Sequence, residues 1–313
     1  MKNNKKFAFG ILGILFALNI LAWLGVCDLS QSRFLEVTFF DVGQGDSIFI
    51  ETPQGHQILI DGGPSSIILE KLGKEMPFWD RTIDLIILTH PDHDHLAGLL
   101  EVLKRYKIEN ILWTGVVKDT SEFEEWQDLI EKEKAEIIIA RAGQKIPCSG
   151  CSGSHPEQCS GWLPEQDRVE VLYPFESLEG EEVENTNNSS IVAKLVFGRT
   201  SFLFIGDIYS SIEKELIERE GNIKSDVLKV GHHGSKTSTA LEFIAKVLPD
   251  IAVISVGGDN SYGHPHAETL ETLEKYGIDI LRTDEQGDIK LFSNGEKLKL
   301  KTQNSKIKTT TQN

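Results

Sequence analysis

Basic residues are in short supply: 32 Lys and Arg stand against 48 Asp and Glu, a formal net charge of −16 over 313 residues. A chain of that sign has no broad cationic face for the phosphate backbone of a nucleic acid. The deficit does not exclude nucleic acid altogether, because bound metal ions supply positive charge locally. Cysteine is also sparse, at four residues: Cys27, Cys148, Cys151 and Cys159. The last three lie in a Gly/Ser/Pro-rich stretch, and a complete zinc site there needs a fourth ligand, for which His155 is the candidate. A disulfide and unpaired thiols are the other two readings. No Pro/Gly linker divides residues 34–295, so they are expected to form one domain. The apolar fraction of 40% and charged fraction of 26% are ordinary for a globular chain and exclude wholesale disorder.

The first thirty residues differ from the rest. Lys2, Lys5 and Lys6 precede an uncharged run from Phe7 to Val26, whose strongly polar member is Asn19. Twenty residues at about 1.5 Å rise reach about 30 Å, the depth of a bilayer core. The run is expected to be a membrane helix with a cytoplasmic N-terminus, leaving the remainder outside the cytoplasm. A cleaved signal peptide and a lipoprotein signal ending at Cys27 are the rivals. No A-x-A-like site follows the run, and bulky Val26 stands where a small residue is usual before a lipidated cysteine.

From Phe34 onward, hydrophobic periodicity alternates between strands and helices. Phe34–Phe40, Ser47–Glu51 and Gln57–Ile60 read as strands, and Ser65–Lys74 as a helix. Ile83–Leu88 is a continuous apolar run suited to a strand buried on both faces. The second half repeats the theme, with a hairpin of Ile191–Phe197 and Thr200–Ile205, a strand at Asp226–Val230 and helices at Ser210–Glu220 and Ala267–Tyr276. The polar Lys/Thr-rich chain from Glu296 to Asn313 is expected to be a flexible tail, and residues 146–165 an insertion holding the three clustered cysteines.

Three strand-end segments carry chemistry. His90-Pro91-Asp92-His93-Asp94-His95 follows an apolar strand and precedes a helix. So many donors in six positions cannot all be buried unpaired, whereas convergence on a metal satisfies them. Gly206-Asp207 ends another apolar strand, where a lone Asp reads equally as a turn or helix cap. Gly231-His232-His233-Gly234-Ser235 ends a third, and adjacent histidines there are not usually both ligands. The segments Asp41–Ser47, Asp61-Gly62-Gly63, Asn187–Ser190 and Gly263-His264-Pro265-His266, taken singly, read as turn chemistry.

In order along the chain, these segments resemble the metallo-β-lactamase-fold hydrolases, and within them the C-terminal nuclease-type domain of ComEC competence proteins. The departure from the H-x-H-x-D-H pattern is Asp92, where the second histidine usually stands. The resemblance implies a four-layer αββα sandwich, preceded here by one N-terminal transmembrane helix, and one or two divalent metal ions, Zn or Mn. It places His90 and Asp92 at a first metal position, with Asn187 where many relatives have another histidine. Asp94 and His95 serve a second position, Asp207 bridges, and His232 or His233 completes the second position, with His232 favoured. Asp61 orients a ligand histidine by accepting its other N–H, with Asp41 and Asp46 as further supports. Oxygen-rich ligation tilts the site from zinc toward manganese.

The implied reaction is hydrolysis by metal-activated water, with Asp94 as proton acceptor and Lys236, His264 and His266 as candidates for phosphate contact or leaving-group protonation. The implied substrate is a phosphodiester, single-stranded DNA above all, and one candidate span implies a separate channel protein for DNA passage. The alternatives are a lactonase, a β-lactamase, an esterase acting on envelope phosphodiesters, or a non-catalytic metal-binding module.

Overall fold

The computed structural model describes residues 9, 11–23, 34–147, 167–219, 221–302 and 308–309. Residues 11–23 form helix α1, with Leu12, Phe16 and Trp23 exposed. Among the described residues no helix is long and apolar enough to cross a membrane. The expected span from Phe7 to Val26 lies partly outside them, as do all four cysteines and His155.

Nine strands form one sheet: β1 (Leu35–Phe39), β2 (Ile48–Glu51), β3 (Gln57–Ile60), β4 (Thr82–Ile87), β5 (Lys107–Trp113), β6 (Glu136–Ile139), β14 (Ile289–Ser293), β15 (Leu298–Thr302) and β16 (Lys308–Thr309). Their spatial order is β16-β15-β14-β1-β2-β3-β4-β5-β6. The other sheet runs β13-β12-β11-β10-β9-β8-β7. Its strands are β7 (Lys145–Pro147), β8 (Arg168–Tyr173), β9 (Val192–Phe197), β10 (Thr200–Phe204), β11 (Val227–Lys229), β12 (Ile251–Ile254) and β13 (Asp279–Arg282).

The period-2 alternation of side chains explains the layering. In β1, Leu35, Val37 and Phe39 face the core between the sheets, and in β3, Ile58 and Ile60 do the same. The opposite face, with Leu59, Ile83 and Ile86, packs on α2 (Ile67–Glu75), α3 (His93–Leu103) and α4 (Ser121–Glu133). The outer face of the second sheet, with Leu203, Leu228 and Ile254, packs on α5 (Ser210–Arg219), α6 (Leu241–Val247) and α7 (Ala267–Lys275). A last short helix, α8 (Thr283–Gln286), links β13 to β14. Helices, sheet, sheet and helices thus form the expected layers.

One local expectation is revised. The chain beyond residue 295 is not a flexible tail throughout, because β15 pairs antiparallel with β14, Leu291 opposite Leu300. Leu298 and Leu300 alternate with lysines and turn to the inter-sheet core, which a reading of overall polarity overlooks. The expected insertion 146–165 lies mostly outside the described residues; β7, where it begins, and β8, which follows it, are antiparallel neighbours.

Two contacts bring the site loops into place. A Cβ on Gly98 would stand 1.9 Å from the Gly62 carbonyl oxygen, so only glycine lets the first turns of α3 press against the loop after β3. Across the sheets, Lys229 of β11 makes an ion pair with Asp46 from the loop after β1, both essentially without solvent exposure. Lys229→Met keeps the apolar stem and leaves Asp46 buried without its cation. The expected loss is about 3–5 kcal/mol, the usual penalty for breaking a buried pair, with part recovered in Lys229→Met/Asp46→Asn. Urea denaturation of the three proteins checks this, and a Lys229→Met variant as stable as wild type would rule out the strut.

Glu213 of α5 is fully buried and accepts from the Thr239 and Ala240 amides, at 2.6 and 2.8 Å, bracing the loop that follows the double histidine. Burial pushes its carboxyl up to about 7, with the two amides pulling the other way. The folded state therefore keeps a proton that the unfolded chain loses near 4.5, and stability falls as pH rises between those values. Glu213→Gln removes that slope. Its stability relative to wild type is expected to rise from pH 5 to pH 8, and urea midpoints that keep a constant difference would count against a protonated carboxyl.

Candidate metal centre

The site lies where strands of both sheets end. From the first sheet come the loop after β3, with Asp61, and the segment that runs from the end of β4 into the first turn of α3, with His90 to His95. From the second come Asp207 after β10 and His233 after β11. Four ligand atoms, one each from Asp94, His95, Asp207 and His233, lie within 4.8 Å of one another. His95 Nε2 is 3.4 Å from Asp207 Oδ2 and 4.0 Å from Asp94 Oδ2. His233 Nε2 is 3.3 Å from the same Asp207 oxygen and 3.2 Å from Asp94 Oδ2.

The far sides of these rings are already committed. Asp61, with φ +56°, accepts from the Thr89 amide at 2.8 Å, the Thr89 hydroxyl at 2.7 Å and His95 Nδ1 at 2.7 Å. Having donated to Asp61, the Thr89 hydroxyl accepts from His90 Nδ1 at 3.0 Å. His233 Nδ1 donates to the Ser255 carbonyl at 3.0 Å and lies 3.4 Å from Asp46. Each ring therefore turns Nε2 toward the centre, with its tautomer set from behind. His90 Nε2, His95 Nε2 and Asp207 Oδ1 are buried without hydrogen-bond partners.

Lone pairs of two imidazoles and two carboxylates facing one another repel unless a cation lies among them. The protonation preferences record the same field. Burial works against charge on His95 and His233, but Asp207 and its neighbouring carboxylates raise both well above the ordinary imidazole value. Asp207 is held well below the usual carboxylate range, because His233 and His95 outweigh its desolvation. A divalent ion replaces those protons, and the imidazole-plus-carboxylate set fits one. This His/Asp cluster is able to bind metal.

The remaining expected positions separate into groups. His90 is fully buried beside the cluster, 3.9 Å from Asp92 Oδ2. The other oxygen of Asp92 accepts from Lys118 at 2.6 Å and from the Thr186 hydroxyl at 2.5 Å. Asn187 donates to the Tyr209 hydroxyl at 3.2 Å and comes within 3.5 Å of His232. His233 joins the four-residue cluster and His232, the one favoured from the sequence, does not. Both residues take left-handed backbone, φ +47° and +53°, and that turn sends the second ring, not the first, to the centre. His232 stacks on Tyr209 at 5.3 Å and bonds Thr237.

His264 lies at the rim, 5.5 Å from the His232 ring and 6.4 Å from the His233 ring. Desolvation, then the neighbouring histidines, lower its pKa to about 4. His266 accepts from the Lys236 amide at 3.1 Å and precedes α7, while the Lys236 side chain is exposed. Asp41 accepts from Gly43 N and shapes its own turn. Asp46, Asp61 and His95 form a second close grouping, but Asp61 is occupied by Thr89 and His95, and Asp46 by Lys229. That grouping supports the site from behind.

Sequence reasoning passed over Lys229, Lys118 and Thr186. A lysine inside the apolar run Val227-Leu228-Lys229-Val230 is a legible signal, because a cation there must meet a buried anion. Nothing in the sequence marks Lys118 or Thr186, whose partner Asp92 is distant along the chain.

The family model described as the metallo-beta-lactamase superfamily matches residues 40–258. ComE operon protein 3 of Bacillus subtilis (strain 168) is 33% identical over 295 residues, covering 88% of this chain and 35% of that protein. Competence protein ComA of Neisseria gonorrhoeae is 28% identical over 260 residues, covering 80% and 31%. The chain thus spans about a third of the length of these curated relatives. Among solved structures, Igni18, a metallo hydrolase from the archaeon Ignicoccus hospitalis KIN4/I, aligns with a TM-score of 0.49 and 15% identity, covering 82% of this chain and 98% of that one. The chain belongs to the metallo-beta-lactamase superfamily, with ComEC-type competence proteins among its homologues.

Proposed function

We propose that the chain is a membrane-anchored, metal-dependent phosphodiesterase acting on DNA. The observation that carries the hydrolytic reading is the buried convergence of Asp94, His95, Asp207 and His233, with their ring tautomers fixed from behind. The DNA reading is supported by the relative named as a competence protein, and the anchor by the uncharged run Phe7–Val26.

Asp94, His95, Asp207 and His233 would hold one divalent ion, Zn or Mn. His90 and Asp92 would face a second position, with Asp207 between the two. When bound, the metal supplies Lewis acidity that lowers the pKa of water and neutralises charge on a phosphoryl oxygen. Asp61 keeps His95 in the tautomer that presents Nε2, and Ser255 does the same for His233. Asp94, exposed on one edge, is placed to take the proton from an attacking water. His264 is neutral near pH 7 because of its lowered pKa, so its ring can bond a phosphate ester or leaving group without competing as a cation. Lys236 and His266 lie on the same rim and offer further contacts to the substrate.

Metal content by plasma mass spectrometry, run beside assays on single-stranded DNA, bis-p-nitrophenyl phosphate and nitrocefin with Mn or Zn, tests this reading. Expected are turnover of the two phosphodiesters, little of nitrocefin, and joint loss of metal and activity in His90→Ala and Asp207→Ala by about 100-fold or more. Retained turnover in Asp207→Ala would overturn the assignment, and nitrocefin as sole substrate would move it to lactam hydrolysis.

A further inference from the structure

Two large aromatic side chains stand apart from the core. Phe78 is 82% exposed and Trp79 is 73% exposed, and they pack edge to face on each other, with ring centroids 4.8 Å apart. Holding so much aromatic surface in water is costly, and the pair shields little of it. Neither residue belongs to the metal centre.

The sheet topology states where this tip points. β1 is antiparallel to β2, and β2 to β3, while β3 and β4 are parallel. β1, β3 and β4 therefore all start at one end of the sheet and finish at the other. Their finishing ends lead to Asp41, Asp61 and His90, hence to the metal centre. Phe78 and Trp79 immediately precede β4 and lie at the starting end, where Asp80 accepts from the Gln57 side chain of β3 at 2.8 Å. Glu36 of β1 is in register with Glu51, and Glu51 with Gln57. The chain thus enters the domain, at Leu35, on the same end as the aromatic tip.

The ten residues 24–33 between α1 and the domain reach at most about 35 Å when fully extended. A bilayer that holds the N-terminal run therefore lies within that distance of the end where the chain enters. Trp and Phe are the residue types that settle at the headgroup level of a membrane.

We propose that Phe78 and Trp79 form an interfacial contact seated in the headgroup layer of the bilayer that holds the N-terminal run, so that the metal centre faces away from the membrane. This rests on the anchoring reading above. It gives the domain a second point of attachment beside the N-terminal run, and two points fix an orientation that one does not. The substrate would approach from the aqueous side, at the end marked by Tyr262 and His264.

Photocrosslinking of the full chain in phosphatidylcholine vesicles tests this. Benzoylphenylalanine is placed either at Phe78 or at Tyr262, which is 66% exposed at the opposite end. Both sites are exposed, so folding is undisturbed, and flotation in a density gradient is scored first. Expected are flotation of both proteins, a lipid adduct by mass spectrometry from position 78 and none from position 262. Flotation without an adduct at 78, an adduct at 262, or a protein–protein crosslink at 78 would each overturn the aromatic contact while leaving the anchor intact. Failure to float would instead overturn the anchoring reading, and this contact with it.

Discussion

Buried negative charge governs this structure. Asp46, Asp61, Asp94 and Asp207 gather where the strands of both sheets end, three of them with almost no solvent exposure. A low-dielectric interior does not tolerate such a group without counter-charge or donated hydrogen bonds. The chain answers in layers: Lys229 for Asp46, Thr89 and His95 for Asp61, and His95 and His233 for Asp207. What those donors leave unmet is charge at the centre itself, and a divalent cation is the species that meets it.

Most of the fold was legible because burial imposes simple periods on sequence. β2, β3 and β9 lie where their apolar runs placed them, since most of their residues are buried. β5 carries no clean apolar period, for Lys107 and Asn110 interrupt it while the parallel ladder to β4 holds the strand. β15 was missed for a related reason: its two inward leucines are outnumbered by outward lysines, and the strand exists because β14 offers it an edge.

The site was legible as a set of segments and only partly as an assignment of roles. His90, Asp94, His95 and Asp207 follow apolar strands whose direction aims them at one point. The choice between His232 and His233 depended on two successive left-handed residues, a backbone fact that the dipeptide does not announce. Asp92 illustrates the other limit. Its position in the motif is plain, but its engagement with Lys118 and Thr186 depends on loops that only the folded chain brings near.

The placement of β1 between β2 and β14 has a consequence for biogenesis. The first strand of the domain is completed on one side by residues 289–293, which follow all seven strands of the other sheet along the chain. Until then its amide and carbonyl edge is open, beside five strands that can already pair. Closing so long a loop is slow, and the nascent domain is exposed to misassociation throughout synthesis. Any shortening of the chain before Ile289 would make that transient vulnerability permanent.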